Sequence, residues 1–341
     1  MKEIKTVDAV GQILCHDITQ IIPGVIKDAA FRKGHVVRAE DIPVLLSMGK
    51  DNLFVWESQP GMLHENDAAE ILYGLCAGEN MVPTEVKEGK IDVIADCDGV
   101  FLVDTRRMRA INSLGEMMIA TRHGNFPVKK GDKLAGTRII PLLISEEKLA
   151  RAQEIGAGAP LLALKKFLPK KVAVVCTGNE VFYGRVKDAF SPVIVNKVRD
   201  YGADIFQTVT LPDSPDEITA AILSAIEGGA EMVVCTGGMS VDPDDRTPLA
   251  IKNTGAAIVS HGAPVLPGSM FMLAYHETGV PILGLPGCVM YTKYTIFDLV
   301  LPKLMADLPI SQDELSALGH GGLCLDCKMC TYPNCGFGKG G

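Results

Sequence analysis

Apolar positions in the second half of the chain alternate between two patterns. Residues 172–176 and 232–235 are continuous apolar runs of strand length, which predicts strands covered on both faces. Between them Ser191 and Pro192 open a stretch with Ile194, Val195, Val198 and Tyr201 on one helical face, and Gly202 follows where a left-handed cap is expected. Residues 203–211 read as the next strand. Ser214, Pro215, Asp216 and Glu217 read as a capping box, and Ile218, Ile222, Ala225 and Ile226 share one face before Gly228 and Gly229 stop the helix. Strand, helix, strand, helix, strand at this spacing predicts an α/β fold with a doubly wound, mostly parallel sheet, whose ligands sit at the carboxyl ends of the strands. Thr247 and Pro248 start a further short helix. A last amphipathic helix carrying Ile296, Leu299, Val300 and Leu304 is expected to cover the sheet.

The first half is patterned differently. Residues 1–60 read as a small mixed unit, with a helix over 41–48 and a strand over 52–56. After the break at Gln59, Pro60 and Gly61, helical spacing covers 62–77. Short alternating runs punctuated by glycines then predict a strand-rich module, with strands at 100–103 and 133–143 and a turn at 129–132. Residues 146–166 read as a connecting helix with a Gly-Ala-Gly-Ala-Pro break. The expected domains are therefore 1–60, 61–165, an α/β domain at 166–310, and a Cys-rich tail at 311–341. His16 and His35 stand singly in short loops and mark no site. Arg106, Arg107 and Arg109 form a basic cluster open to two readings, a phosphate grip or a solvated loop.

Composition narrows the classes. A chain of 341 residues with 47% hydrophobic content has ample material for buried cores. The longest apolar runs are too short to span a bilayer, and the start Met1-Lys2-Glu3-Ile4-Lys5 lacks the apolar region of a signal peptide, so a cytoplasmic protein with no membrane partner is expected. A net charge of -8 argues against nucleic acid as a partner, since binding it needs a basic stripe.

The densest chemistry lies at Cys235-Thr236-Gly237-Gly238-Met239-Ser240-Val241-Asp242-Pro243-Asp244-Asp245. An apolar run enters, two glycines follow, and three carboxylates close the stretch. Glycines at a strand end either make an ordinary tight turn or let backbone N–H groups approach a ligand, while the carboxylates can hold a metal ion or a hydroxyl. Thr177-Gly178-Asn179-Glu180 ends another predicted strand, and Pro212-Asp213 a third. The architecture gathers Glu180, Asp213 and Asp245 on one rim, with Asp242 beside Asp245 as a further metal-ligand candidate. Two later loops, Pro267-Gly268-Ser269 and Pro286-Gly287, each follow an apolar run and are expected on the same rim.

Residues 171–306 resemble the molybdopterin-binding domain of the molybdenum cofactor biosynthesis proteins. The resemblance rests on Thr177-Gly178-Asn179-Glu180 for the family's T-G-[DN]-E, on Pro212-Asp213, and on Gly237-Gly238-Met239-Ser240-Val241 with Asp245 for its G-G-x-S-V-x-x-x-D. It extends to Pro267-Gly268 and Gly284-Leu285-Pro286-Gly287, and more weakly to residues 31–56. It implies that Thr177, Gly178, Thr236, Gly237, Gly238, Met239, Ser240, Pro267, Gly268, Ser269, Pro286 and Gly287 bind molybdopterin or its adenylate. It also implies that Glu180, Asp213 and Asp245 are the functional carboxylates, with Mg²⁺ as the bridging ion. The implied activity is molybdopterin molybdenumtransferase, inserting molybdate into the bound pterin, so the partners are a small-molecule pterin and molybdate. A homo-oligomer and a molybdoenzyme client are further expectations.

Two departures keep other readings open. The family's late loops read P-G-K-P and G-L-P-G-N-P, whereas Ser269-Met270 and Cys288-Val289 stand here. Nor do residues 60–165 hold the family's D-G-Y-A segment or its P-x-G-A-D loop. A non-catalytic pterin-binding carrier or sensor is the alternative, and a nucleotide pyrophosphate hydrolase a third reading.

The ten cysteines fall into two groups. Six are scattered singly, several in strand-like contexts where a reduced cysteine packs as a small hydrophobe. The other four, Cys324, Cys327, Cys330 and Cys335, crowd into the last eighteen residues. Their C-x2-C-x2-C-x4-C spacing is close to that of bacterial ferredoxins apart from one extra residue, which predicts an iron–sulfur cluster, with zinc, or an empty or disulfide-linked tail, as alternatives.

Overall fold

The computed structural model describes residues 2–22, 26–55, 60–240 and 242–340. Trp56 in the predicted strand, Gln59 in the predicted break and Val241 in the glycine motif lie outside them. The chain divides into two units: Met1–Ala95, Asp104–Arg122 and Gly131–Ala163 form one, and Asp96–Val103, His123–Lys130 and Leu164–Gly341 form the other. The first sixty residues thus share a unit with most of the strand-rich module, and the tail shares one with the α/β elements.

In the first unit an antiparallel sheet runs in the order Met81–Pro83, Lys90–Ala95, Lys133–Ile139, Met117–Thr121. The helix Glu65–Cys76 buries Ala68, Ala69, Leu72 and Cys76. Residues 62–64, expected in that helix, are a strand paired with Leu143–Ser145, because the His64 side chain accepts from Asn66 N and starts the helix at Glu65. The connecting helix is also shorter than expected. It spans Glu146–Gly156, and Leu162–Lys166 is a strand. The arginine cluster lies on the helix Thr105–Asn112 rather than in a loop, and Arg107 is engaged, donating to Asp104 Oδ2 at 2.7 Å and to Ala157 O at 3.2 Å.

The second unit holds a mixed sheet of six strands in the order Asp204–Leu211, Lys171–Thr177, Met232–Thr236, Pro281–Leu285, Met272–Tyr275, Ala257–His261. The first four pair in parallel, and the last two are joined on by antiparallel pairings. Side chains alternate across a strand, so each continuous apolar run serves two cores. Val172, Val174, Met232 and Val234 pack with the helices Phe190–Arg199 and Ile296–Met305 on one face. Ala173, Val175, Val233 and Cys235 pack with Pro215–Glu227 and Thr247–Asn253 on the other. Each such burial stabilises the fold by about 1.5–3 kcal/mol for a large aliphatic side chain. This is the doubly wound arrangement the pattern predicts. Burial pushes the Cys235 thiol up to about 12, so it sits in the core as a neutral hydrophobe. Among the described residues no helix is long and apolar enough to cross a membrane.

Candidate functional site

Strand register brings the predicted loops to one edge. Thr177 pairs with Leu211, Cys176 with Thr236, and Thr236 with Leu285, so these strands end together. Gly178, Pro212, Gly237 and Pro286 each leave that end. The antiparallel strands return to it: Met272 pairs with both Gly284 and His261, which puts the 262–271 loop, with Pro267, Gly268 and Ser269, on the same edge.

Gly237 and Gly238 have φ of +89° and +54°. Their freedom is needed for packing as well as for a left-handed turn. A Cβ on Gly237 would stand 2.0 Å from Thr177 O, so the two strand-end loops touch backbone to backbone. Thr247 then locks the turn. Its hydroxyl donates to Gly237 O at 2.8 Å and lies 2.9 Å from Thr177 Oγ1, and its N–H donates to Gly238 O at 3.2 Å. The sequence marks Thr247 only as a helix start, since nothing local ties it to residues seventy positions earlier. Thr236 is buried, and its Oγ1 has no hydrogen-bond partner among the described residues. Met239 sends its side chain into the core, against the face of Gly284, whereas Ser240 is exposed on the loop.

The carboxylates stand around this turn. Asp213 Oδ2 accepts from Asn179 N at 2.9 Å, and Asp213 N donates back to Asn179 Oδ1 at 3.3 Å, which ties two strand-end loops together. Burial raises the Asp213 carboxyl above the usual range, and after it the charges of Glu180, Asp245 and Asp244 act in the same direction against the Asn179 hydrogen bond. The predicted carboxylates Glu180 and Asp245, and Asp244 with them, therefore lie near enough to act on Asp213. Asp245 is partly engaged within its own loop, its Oδ2 accepting from Asp242 N at 3.2 Å. Asp242 and Glu180 are exposed. Among the described residues no three His, Cys, Asp or Glu side chains are gathered to hold a metal ion. The rim carboxylates thus do not form a protein-only cage. They fit the way Mg²⁺ is usually held, by one or two carboxylates together with oxygens of an anionic ligand.

The late loops differ in what they offer. Gly268, at φ +125°, is packed so tightly that a Cβ would stand 2.5 Å from Ile296 Cγ2, and Pro267 O accepts from Ile296 N at 3.3 Å. Ser269 is exposed. Pro286 is buried and Gly287 exposed with open space around it. Burial raises the Cys288 thiol, so a neutral sulfur stands where the family pattern has an asparagine. A cavity of about 560 Å³ lined by Lys170, Glu231, Tyr275 and Asp307 lies at the opposite, amino edge of the sheet. The four tail cysteines share the wall of another, of about 270 Å³.

Comparison with known proteins places a family match on this part of the chain. The family model described as "Probable molybdopterin binding domain" matches residues 173–306, and one for a domain of unknown function matches residues 3–57. The molybdopterin molybdenumtransferase of Synechococcus elongatus is 24% identical over 54% of this chain and 47% of its own. The molybdenum cofactor biosynthesis bifunctional protein of the same organism is 36% identical over 24% of this chain and 26% of its own. The chain thus spans about half, or less, of the length of these curated relatives. A crystal structure of the molybdopterin biosynthesis enzyme MoaB from Thermus thermophilus is 21% identical, covering 41% of this chain and 98% of its own at a TM-score of 0.33. Residues 173–306 are therefore a domain of the molybdopterin-binding family shared by molybdenum cofactor biosynthesis proteins.

Proposed function

We propose that the carboxyl edge of the α/β unit binds molybdopterin or its adenylate, and that the chain uses this site to insert molybdate during molybdenum cofactor biosynthesis. The observation that carries the reading is the gathering of Glu180, Asp244 and Asp245 around Asp213 beside the turn at Gly237 and Gly238. Backbone N–H groups of the left-handed turn suit an anionic group, and an exposed carboxylate such as Glu180 suits a hydroxyl or a cation. Asp213 or Asp245, with oxygens of the bound ligand, would hold Mg²⁺, which supplies the positive charge that offsets repulsion between an anionic ligand and the acidic rim. The chain's own residues do the positioning. Asn179 orients Asp213, Asp242 orients Asp245, and Thr247 holds the turn against Thr177.

A second reading, a carrier that binds the pterin without converting it, is favoured by one observation. Ser269 and the neutral Cys288 replace the lysine and asparagine of the family's late loops, which leaves that side of the rim without their cation and amide. In either case the site serves a small molecule, in a homo-oligomer or for a molybdoenzyme client. The tail cysteines are read as a separate metal site, for an iron–sulfur cluster or zinc.

Titration with molybdopterin and its adenylate, followed by pterin fluorescence, tests both readings. Absence of binding to either ligand removes both. Binding without conversion of adenylated pterin, molybdate and Mg²⁺ to active cofactor replaces insertion by carriage.

A further inference from the structure

The last stretch of the chain closes on itself, Gly338 donating its N–H to Gly321 O at 3.0 Å. Residues 321–338 are fastened to the α/β unit at three places. Leu323 bridges Leu266, and Cys324 donates its N–H to Leu266 O at 2.8 Å. Tyr332 stacks on Tyr294 with ring centroids 4.1 Å apart. Phe337 is buried, and Gly338 meets Leu299 so closely that a Cβ would stand 2.3 Å from its Cδ2.

The apolar side chains of this loop divide: Phe337 is buried, while Leu323 and Leu325 border a cavity and are also open to solvent. Leu323, Leu325 and Met329 are 59%, 77% and 80% exposed. Cys324, Cys327, Cys330 and Cys335 line the same cavity, of about 270 Å³, together with Tyr294 and Tyr332. All four are free thiols. Four free thiols on the wall of one cavity make a sulfur-rich seat for a guest that bonds sulfur.

We propose that this loop is the seat of a [4Fe–4S] cluster ligated by Cys324, Cys327, Cys330 and Cys335. A single tetrahedral zinc, with bonds of ~2.3 Å, draws its four sulfurs onto one point. Here all four cysteines border one shared volume. A cubane is a body with ligands standing around it, and the C-x2-C-x2-C spacing wraps its first three corners. Aromatic walls would shield its sulfides from water. In assembly, two ferrous and two ferric ions, four sulfides and four thiolates combine with no net electron transfer, and the four thiol protons pass to solvent. The ligated product is a dianion. Lys197 and Lys293 lie beside it, each with Nζ 5.5 Å from the centroid of the Tyr294 ring. Because Leu266 pairs with the loop and precedes Pro267, the cluster stands next to the carboxyl edge of the sheet. The proposal does not depend on the pterin reading.

Anaerobic reconstitution of the full chain with equal ferrous and ferric iron and sulfide, followed by desalting, should leave about four iron and about four acid-labile sulfide per chain, with visible absorbance that bleaches on reduction by dithionite. Cys327→Ser and Cys330→Ser alter exposed residues, so both variants should keep the wild-type far-ultraviolet circular dichroism while losing most of the retained iron; Cys97→Ser, outside the tail, should retain all of it. Full iron retention in the Cys327→Ser, Cys330→Ser double variant overturns the proposal. So does retention of a single zinc without sulfide when the chain is offered both metals. Pterin titration of the same variants reads the other site, so failure at one is distinguishable from failure at the other.

Discussion

The carbonyl oxygen of Thr177 stands 2.0 Å from where a Cβ on Gly237 would lie. Any side chain at 237 must push apart two strands whose ends build the rim, and Gly237→Ala should cost more than about 2 kcal/mol. Gly255→Ala is the control. Its φ of +78° carries the same left-handed cost, but among the described residues nothing lies within 4 Å of its Cβ position. Urea denaturation of the two variants without ligand should separate them, and equal losses would show that the close approach contributes nothing.

Asp213 is held by a backbone donor that an amide oxygen can also satisfy. Its raised carboxyl means that the fold binds this proton more tightly than the unfolded chain. Its contribution to stability is therefore present below the ordinary carboxylate range and is lost as pH rises through the raised value. Asp213→Asn should abolish that loss, leaving stability at pH 7 equal to or slightly above wild type. Pterin binding or Mg²⁺-dependent turnover should fall roughly tenfold, the scale of one charged hydrogen bond. A parallel loss of folding stability would assign Asp213 a structural role instead.

Glu65 starts the helix Glu65–Cys76 and is 8% exposed. Burial, only partly offset by Arg138 and reinforced by Glu88 and Asp17, raises its carboxyl from 4.5 to about 6. Stability should fall as pH rises across that window and level off above it, by at most ~2 kcal/mol. Glu65→Gln should remove this slope, gaining about 1 kcal/mol at pH 7 and nothing at pH 4. Urea midpoints at the two pH values check it.

Tyr332 anchors the tail by its ring rather than by its hydroxyl. The ring stacks on Tyr294, while the hydroxyl donates to Asp298 O at a long 3.3 Å. Tyr332→Phe should therefore cost under about 1 kcal/mol, and Tyr332→Ala about 2–3 kcal/mol. Limited proteolysis should release the tail readily only from the alanine variant. Equal protection of both would show that the Leu323 and Phe337 contacts suffice.

The α/β unit was legible because its strands are buried on both faces. Residues 172–176 and 232–235 could not be written with alternating polarity, and the stops and caps at Gly202, Ser214 and Gly228 bounded the helices between them. The first half was less legible. Leu63 fits a helical face as well as a strand, and pairing with Ile144, far away in sequence, made it a strand. Residues 162–166 likewise joined a sheet rather than extending a helix, since short apolar runs are decided by their partners.

The residue types on the rim and the order of its loops were fixed by sequence alone, because periodicity and capping are local and the direction of parallel strands follows from them. Tertiary structure alone decided how those residues are used. It set Gly237 against Thr177, gave Thr247 the task of joining them, sent the Met239 side chain into the core, and gathered Asp244 with the predicted carboxylates. It also set the four tail cysteines around one cavity. Such contacts join residues tens of positions apart through backbone approach and burial, which no local pattern encodes.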